Sequence, residues 1–136
     1  MSSRIAWPRR YLWLHEYARS KPEAVFDYKE SWDSIRYFVH GKIFGLLLRN
    51  AADGLLLTLK CDPYLSLGFR NEYPTVIPGW HMNKLHWISL CLKGRTPEDV
   101  CRQLVDISYD LVWQGLPGKV KGEGRRPKIP VPEWEL

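Results

Sequence analysis

Between Gly79 and Leu90 the chain reads GWHMNKLHWISL, which gathers two imidazoles (His81, His86), a carboxamide (Asn83), an ammonium group (Lys84) and two indoles (Trp80, Trp87) ahead of Ser89 and Cys91. Nucleophilic catalysis by Ser89 or Cys91 needs a base within hydrogen-bond reach, itself held by a third group, and the spacing does not supply that arrangement. Two histidines five apart fit neither the i, i+4 pair of a helical zinc site nor a Cys/His cluster with zinc spacing. We therefore assign no catalytic residue, no metal ligand and no cofactor, and expect a protein that is not an enzyme.

Two readings remain. In the structural one, Pro78-Gly79 makes a tight turn, Trp80 and Trp87 staple it to a sheet, Asn83 bonds the turn backbone, and a buried histidine is a satisfied core residue. Nothing in the geometry of a turn requires the ammonium of Lys84. In the functional one, Lys84 joins Arg49, Lys60, Lys42 and the distal Arg125 and Arg126 in meeting phosphates, while Asn83, His81 and His86 supply donors and Trp80 a stacking plane. That reading expects DNA as the partner. The alternative expects a protein-interaction or adaptor module that uses a mixed sheet face and the C-terminal segment KIPVPEWEL.

Composition narrows the frame for either reading. The 136 residues, 45% hydrophobic and 26% charged, suit one globular domain. No apolar run reaches the length of a membrane span, since IFGLLL (residues 43–48) is closed by Arg49 and Asn50. The N-terminus MSSRIAWPRRYLWL lacks a continuous apolar segment before a small-residue cleavage site, and the three cysteines form no CxxC pair. The expectation is a cytoplasmic monomer with reduced cysteines. A formal net charge of +5 favours an anionic partner.

The elements that must position the motif follow from periodicity and punctuation. A helix is predicted from about Pro8 to Ser20, and a short extended piece at residues 24–29. SIRYFV, KIFGLLL and GLLLTLKC read as three strands, with His40-Gly41 a two-residue hairpin turn and Asp53-Gly54 the tip of a second hairpin. Asp62-Pro63 opens a helix that ends by Pro74, and HWISLCL alternates as a half-buried strand. Thr96 is predicted to cap a long helix to Gly115, with Val100, Leu104, Ile107 and Leu111 as its apolar face. Strict alternation puts Phe44, Leu46, Leu48, Ile88, Leu90 and Leu92 on one sheet face, and Leu47, Arg49, Thr58, Lys60, Trp87, Ser89 and Cys91 on the other. Residues 1–117 form the domain, and 118–136 a basic Pro/Gly-rich tail. This order is an α+β architecture, an antiparallel sheet with helices on one face.

The strings CDP (residues 61–63), EYP (72–74), VIPGWHMNKLHWISL and ISYDLVWQGLP (107–117), in that order and spacing, resemble the MmcQ/YjbR family of small bacterial proteins, over roughly residues 20–117. The family motif falls on Pro78, Gly79, His81, Met82, Asn83, Lys84, His86 and Trp87, with Leu85 where a basic residue is common. The resemblance implies a frataxin-like (CyaY-like) fold with a "double wing" of hairpins, and DNA binding. It does not bring frataxin-type iron binding with it, because that chemistry needs clustered carboxylates and the first helix here is arginine-rich.

Overall fold

The computed structural model describes residues 3–118, so Arg125, Arg126 and nearly all of the predicted tail lie outside the described residues. A 3-10 turn (Arg9–Tyr11) leads into α1 (Leu12–Arg19), followed by β1 (Ala24–Lys29), a second 3-10 turn (Glu30–Trp32), β2 (Ser34–Val39), β3 (Lys42–Asn50) and β4 (Gly54–Lys60). Then come α2 (Pro63–Glu72), β5 (Val76–Pro78), β6 (Trp87–Cys91) and α3 (Glu98–Gln114). The six strands form one antiparallel sheet in the order β1-β2-β3-β4-β6-β5. The α+β architecture is as the sequence indicates. No helix among the described residues is long and apolar enough to cross a membrane.

Local chemistry accounts for most boundaries. His40 and Gly41 both have positive φ (46° and 77°), the requirement of the hairpin turn whose twist matches its strands. Asp62 caps α2, its Oδ1 accepting from the backbone N–H groups of Tyr64 (2.9 Å) and Leu65 (3.2 Å). Thr96 does not cap α3 as expected. Its hydroxyl instead shares a 2.5 Å hydrogen bond with Thr75, tying the helix entry to the segment before β5, and Pro97 occupies the cap position.

The sheet faces differ from strict alternation at one point, with a physical cause. Tyr37 pairs with Gly45 and Phe38 with Ile43, so Phe44 is an extra residue, a β-bulge that reverses the alternation beyond it. Phe44 therefore packs on the helix side, edge-on to Tyr109 of α3 with ring centroids 5.4 Å apart. Leu47 follows it into the helix-side core, with Leu57, Leu59, Ile88 and Leu90. Leu46 and Leu48 fall on the opposite face with Leu56, Thr58, Lys60, Trp87, Ser89 and Cys91, through the pairs Leu46↔Thr58, Leu48↔Leu56, Thr58↔Ser89, Leu56↔Cys91 and Lys60↔Trp87.

All three helices pack into one core on the helix side, and α3 is buried over more than the predicted stripe. Cys101, Val105, Ser108, Tyr109, Val112 and Trp113 are buried along with Val100, Leu104 and Ile107. Ser108 explains how a polar residue is accommodated: it accepts from the Lys60 N–H (2.8 Å) and donates to the Phe44 carbonyl (2.5 Å), where the bulge disturbs the strand ladder.

Under α1, a three-member relay titrates. The Trp7 indole N–H donates to the Tyr37 hydroxyl (2.8 Å), which shares a 2.6 Å hydrogen bond with His15 Nδ1, an arrangement that suits a neutral His15 accepting the Tyr37 proton. Burial lowers the His15 pKa below its ordinary 6.5, with Glu16 opposing and Arg19 assisting. The unfolded chain then binds a proton that the folded chain resists. The stability contributed by neutral His15 is full above pH 6.5 and is lost as pH falls below it towards the depressed value. Melting temperature is expected to drop between pH 7 and 5.5, and His15→Gln should flatten that slope. The comparison isolates the contribution of His15 to the slope. An unchanged slope in the variant would contradict the relay.

Candidate nucleic-acid interface

The face away from the helices is where the GWHMNKLHW motif lies. Gly79 follows β5, and a Cβ there would sit 2.7 Å from both Cβ and the carbonyl oxygen of Trp87, so only glycine permits this approach. The Gly79 N–H donates to that same carbonyl at 2.9 Å. The chain then crosses the sheet, held by two hydroxyls that are themselves fully buried. The Trp80 N–H donates to Ser89 Oγ (2.8 Å), and Ser89 and Thr58 share a 2.7 Å hydrogen bond. Each buried hydroxyl is thereby satisfied, and the motif gains a fixed seat.

Further along, Asn83 plays its expected role, accepting from the Leu85 N–H at 2.8 Å. The Cys61 N–H donates to the His86 carbonyl (2.8 Å), which closes the motif onto the end of β4. His81 takes a left-handed backbone (φ 71°), unusual for a residue with a side chain, and this turns its ring edge-on to Trp32 at 5.8 Å between centroids.

Several single-residue expectations change. Of the two indoles, Trp87 is the buried staple, whereas the Trp80 side chain is 43% exposed and only its backbone fixes the loop. Both His81 and His86 are exposed rather than core residues. Lys84 does have a structural partner: its ammonium donates to the Gly79 carbonyl at 3.0 Å, bracing the loop, and it lies 5.9 Å from the Trp80 ring centre. One such bond leaves two of its three N–H groups free for an anion.

The proposed cations are not all alike. Arg49 is engaged, donating to Asp33 Oδ2 at 2.6 Å and to the Ser3 carbonyl, and hydrogen bonds from the Ile5 N–H and the Tyr28 hydroxyl hold the Asp33 carboxyl below its ordinary range. Lys42 and Lys60 make no salt bridge among the described residues. They share the rim of a groove of about 470 Å³ with Met82 and Trp87.

Trp32 carried no signal in the sequence, because an isolated tryptophan in a connector belongs to no periodic pattern. It is 41% exposed on the turn between β1 and β2, with the Lys29 ammonium 5.2 Å and the Arg36 guanidinium 5.4 Å from its ring centre. Arg36 is held flat by two bonds to Asp27 (2.8 and 2.5 Å) and also lies 4.7 Å from the Phe38 ring centre. Indole, imidazole and cations thus meet where β1–β2 approaches the motif.

Among the described residues, no hydrogen bond joins Ser89 or Cys91 to either imidazole, and no three His, Cys, Asp or Glu side chains gather as metal ligands. Burial pushes the Cys91 thiol up, and that of Cys61 to about 12, which keeps both protonated.

Comparison with known proteins decides the family. A profile of the YjbR family matches residues 19–111. The chain belongs to the YjbR family. Among relatives of this YjbR protein, the uncharacterised Escherichia coli O157:H7 protein YbdF is 40% identical over 79 residues, 57% of this chain and 63% of YbdF, so the match spans less than two thirds of that relative. The uncharacterised Bacillus subtilis protein YyaQ is 30% identical over 68% of this chain and 85% of its own length. Escherichia coli K12 YjbR, also uncharacterised, is 29% identical over 76% of this chain and 87% of its own. In structure, the crystallised Deinococcus radiodurans protein DR2400, with a DUF419 domain, is similar with a TM-score of 0.72 at 26% identity, covering 84% of this chain and 86% of that one. A Pseudomonas syringae protein follows with a TM-score of 0.65 at 26% identity, over 77% of this chain and 98% of its own.

Proposed function

We propose that this YjbR protein is a cytoplasmic, monomeric, non-enzymatic nucleic-acid-binding module, with DNA its partner, and that it binds through the helix-free face. One observation carries the reading: the exposed indoles of this face, Trp32 and Trp80, each have a Lys or Arg group within 6 Å. Stacking planes with adjacent cations suit a chain that alternates bases and phosphates. The frataxin-like, double-wing description of the fold belongs to the same proposal, with the β2–β3 and β3–β4 hairpins as wings. Lysine is depleted at protein–protein interfaces, so the Lys29 and Lys84 ammonium groups beside the two rings favour the anionic partner over a docked protein. Three free cysteines fit a reducing compartment.

Binding of the full chain to fluorescent oligonucleotides across a salt series tests this. Lys60→Ala and Lys84→Ala are each expected to lower the salt slope by about one counterion, whereas Arg49→Ala, whose charge Asp33 already balances, should lower it less. No binding at low salt, or a full unit of slope lost on removing Arg49 with none lost for the lysines, would overturn the assignment.

A further inference from the structure

The same face says which form of nucleic acid it fits. We infer that it takes a single strand in preference to a duplex, by stacking an unpaired base on Trp32; the inference rests on the nucleic-acid reading above.

The Trp32 ring is exposed on a face of the sheet and braced before any ligand arrives, by Lys29, Arg36 and the edge of His81. A ring already fixed loses little freedom on binding, which favours stacking. Arg36 is already bonded twice to Asp27, so its guanidinium is held in position beside the ring rather than free for a phosphate. A surface that offers a ring plane but no free guanidinium selects a base. Phosphates fall instead to Lys29, Lys42 and Lys60, which make no salt bridge among the described residues, and to the spare N–H groups of Lys84. Trp80, also exposed, offers a second plane.

Inside a duplex each base has both faces covered by its neighbours, so a duplex can present a base to Trp32 only by unstacking it. A single strand presents base faces without that cost. Stacking of this kind tolerates any base, so DNA and RNA single strands share the chemistry.

The experiment uses the full chain and anisotropy of a labelled 12-nucleotide strand as DNA, as RNA and as the matching DNA duplex, at two salt concentrations. Wild type is expected to bind single strands more tightly than duplex. Trp32→Ala should weaken single-strand binding about tenfold or more, leave duplex binding unchanged and keep its melting temperature, while Trp32→Phe, which retains a ring plane, recovers most of the affinity. Tyr64→Ala, removing an aromatic ring 85% exposed on α2, should change neither. Equal affinity for strand and duplex, or a Trp32→Ala loss that is absent or the same for both, overturns this inference while leaving nucleic-acid binding intact. No binding to any of the three probes removes both.

Discussion

Replacing Trp87 by alanine should lower the unfolding free energy by about 3–5 kcal/mol, the range for truncating a large buried aromatic side chain. Trp87 is 9% exposed, and it lies where three structural tasks coincide. Its carbonyl receives the Gly79 N–H, its side chain walls the groove between Lys60 and the end of α3, and its backbone is what Gly79 approaches too closely for any Cβ. The cavity left by alanine would open under the motif, into the groove that Trp87 shares with Lys60 and the end of α3. Trp32→Ala and Trp80→Ala remove rings that are 41% and 43% exposed and should cost about 1 kcal/mol or less. Denaturant midpoints for the three variants provide the check, and a Trp87→Ala midpoint indistinguishable from that of Trp80→Ala would contradict the division between staple and stacking plane.

A comparable loss, about 3–5 kcal/mol, is expected for Lys21→Ala, for an electrostatic reason. The Lys21 side chain is only 7% exposed, and its ammonium pairs with Asp106 of α3 while lying 4.7 Å from the Tyr17 ring centre. The Tyr17 hydroxyl donates to the same Asp106 oxygen at 2.6 Å, so α1, the turn after it and α3 meet at one carboxylate. Removing the ammonium leaves Asp106 partly buried and short of its counter-charge, while Asp106→Ala strands the more deeply buried ammonium. Substituting both together, Lys21→Met with Asp106→Leu, removes the charge and its partner and should recover much of the loss. Thermal unfolding of the two single variants and the double variant decides it. A double variant as unstable as the sum of the singles would contradict a paired, buried origin for the cost.

How far the sequence reaches is seen best in these particular residues. Asp62-Pro63, His40-Gly41 and the α3 stripe are legible because each rests on neighbours within four positions: a cap, a turn, a helical face. The bulge at Phe44 is not, since one extra residue in a run of apolar side chains leaves the period-2 pattern looking intact while it exchanges Leu46 and Leu48 for Leu47. Within the site, Asn83 and Gly79 were legible as turn chemistry. Lys84 as the brace of Gly79, Arg49 as the partner of Asp33, Lys21 as a buried cation and Trp32 as the ring facing His81 each depend on a contact made only in the folded loop or across the sheet. Composition and spacing list the groups present, and the fold decides which charges are already spent.

The most direct test of the account is a map of where a nucleic acid touches this protein. Backbone and indole N–H chemical shifts should be followed while an unlabelled single-stranded 12-mer is titrated into the full chain at low salt. The account predicts that shifts concentrate on residues 29–38, on the 79–86 motif including the indoles of Trp32 and Trp80, and around Lys42 and Lys60, with α2 and the exposed side of α1 unmoved. Shifts confined to the helical side, with the Trp32 and Trp80 indole signals in place, would contradict it.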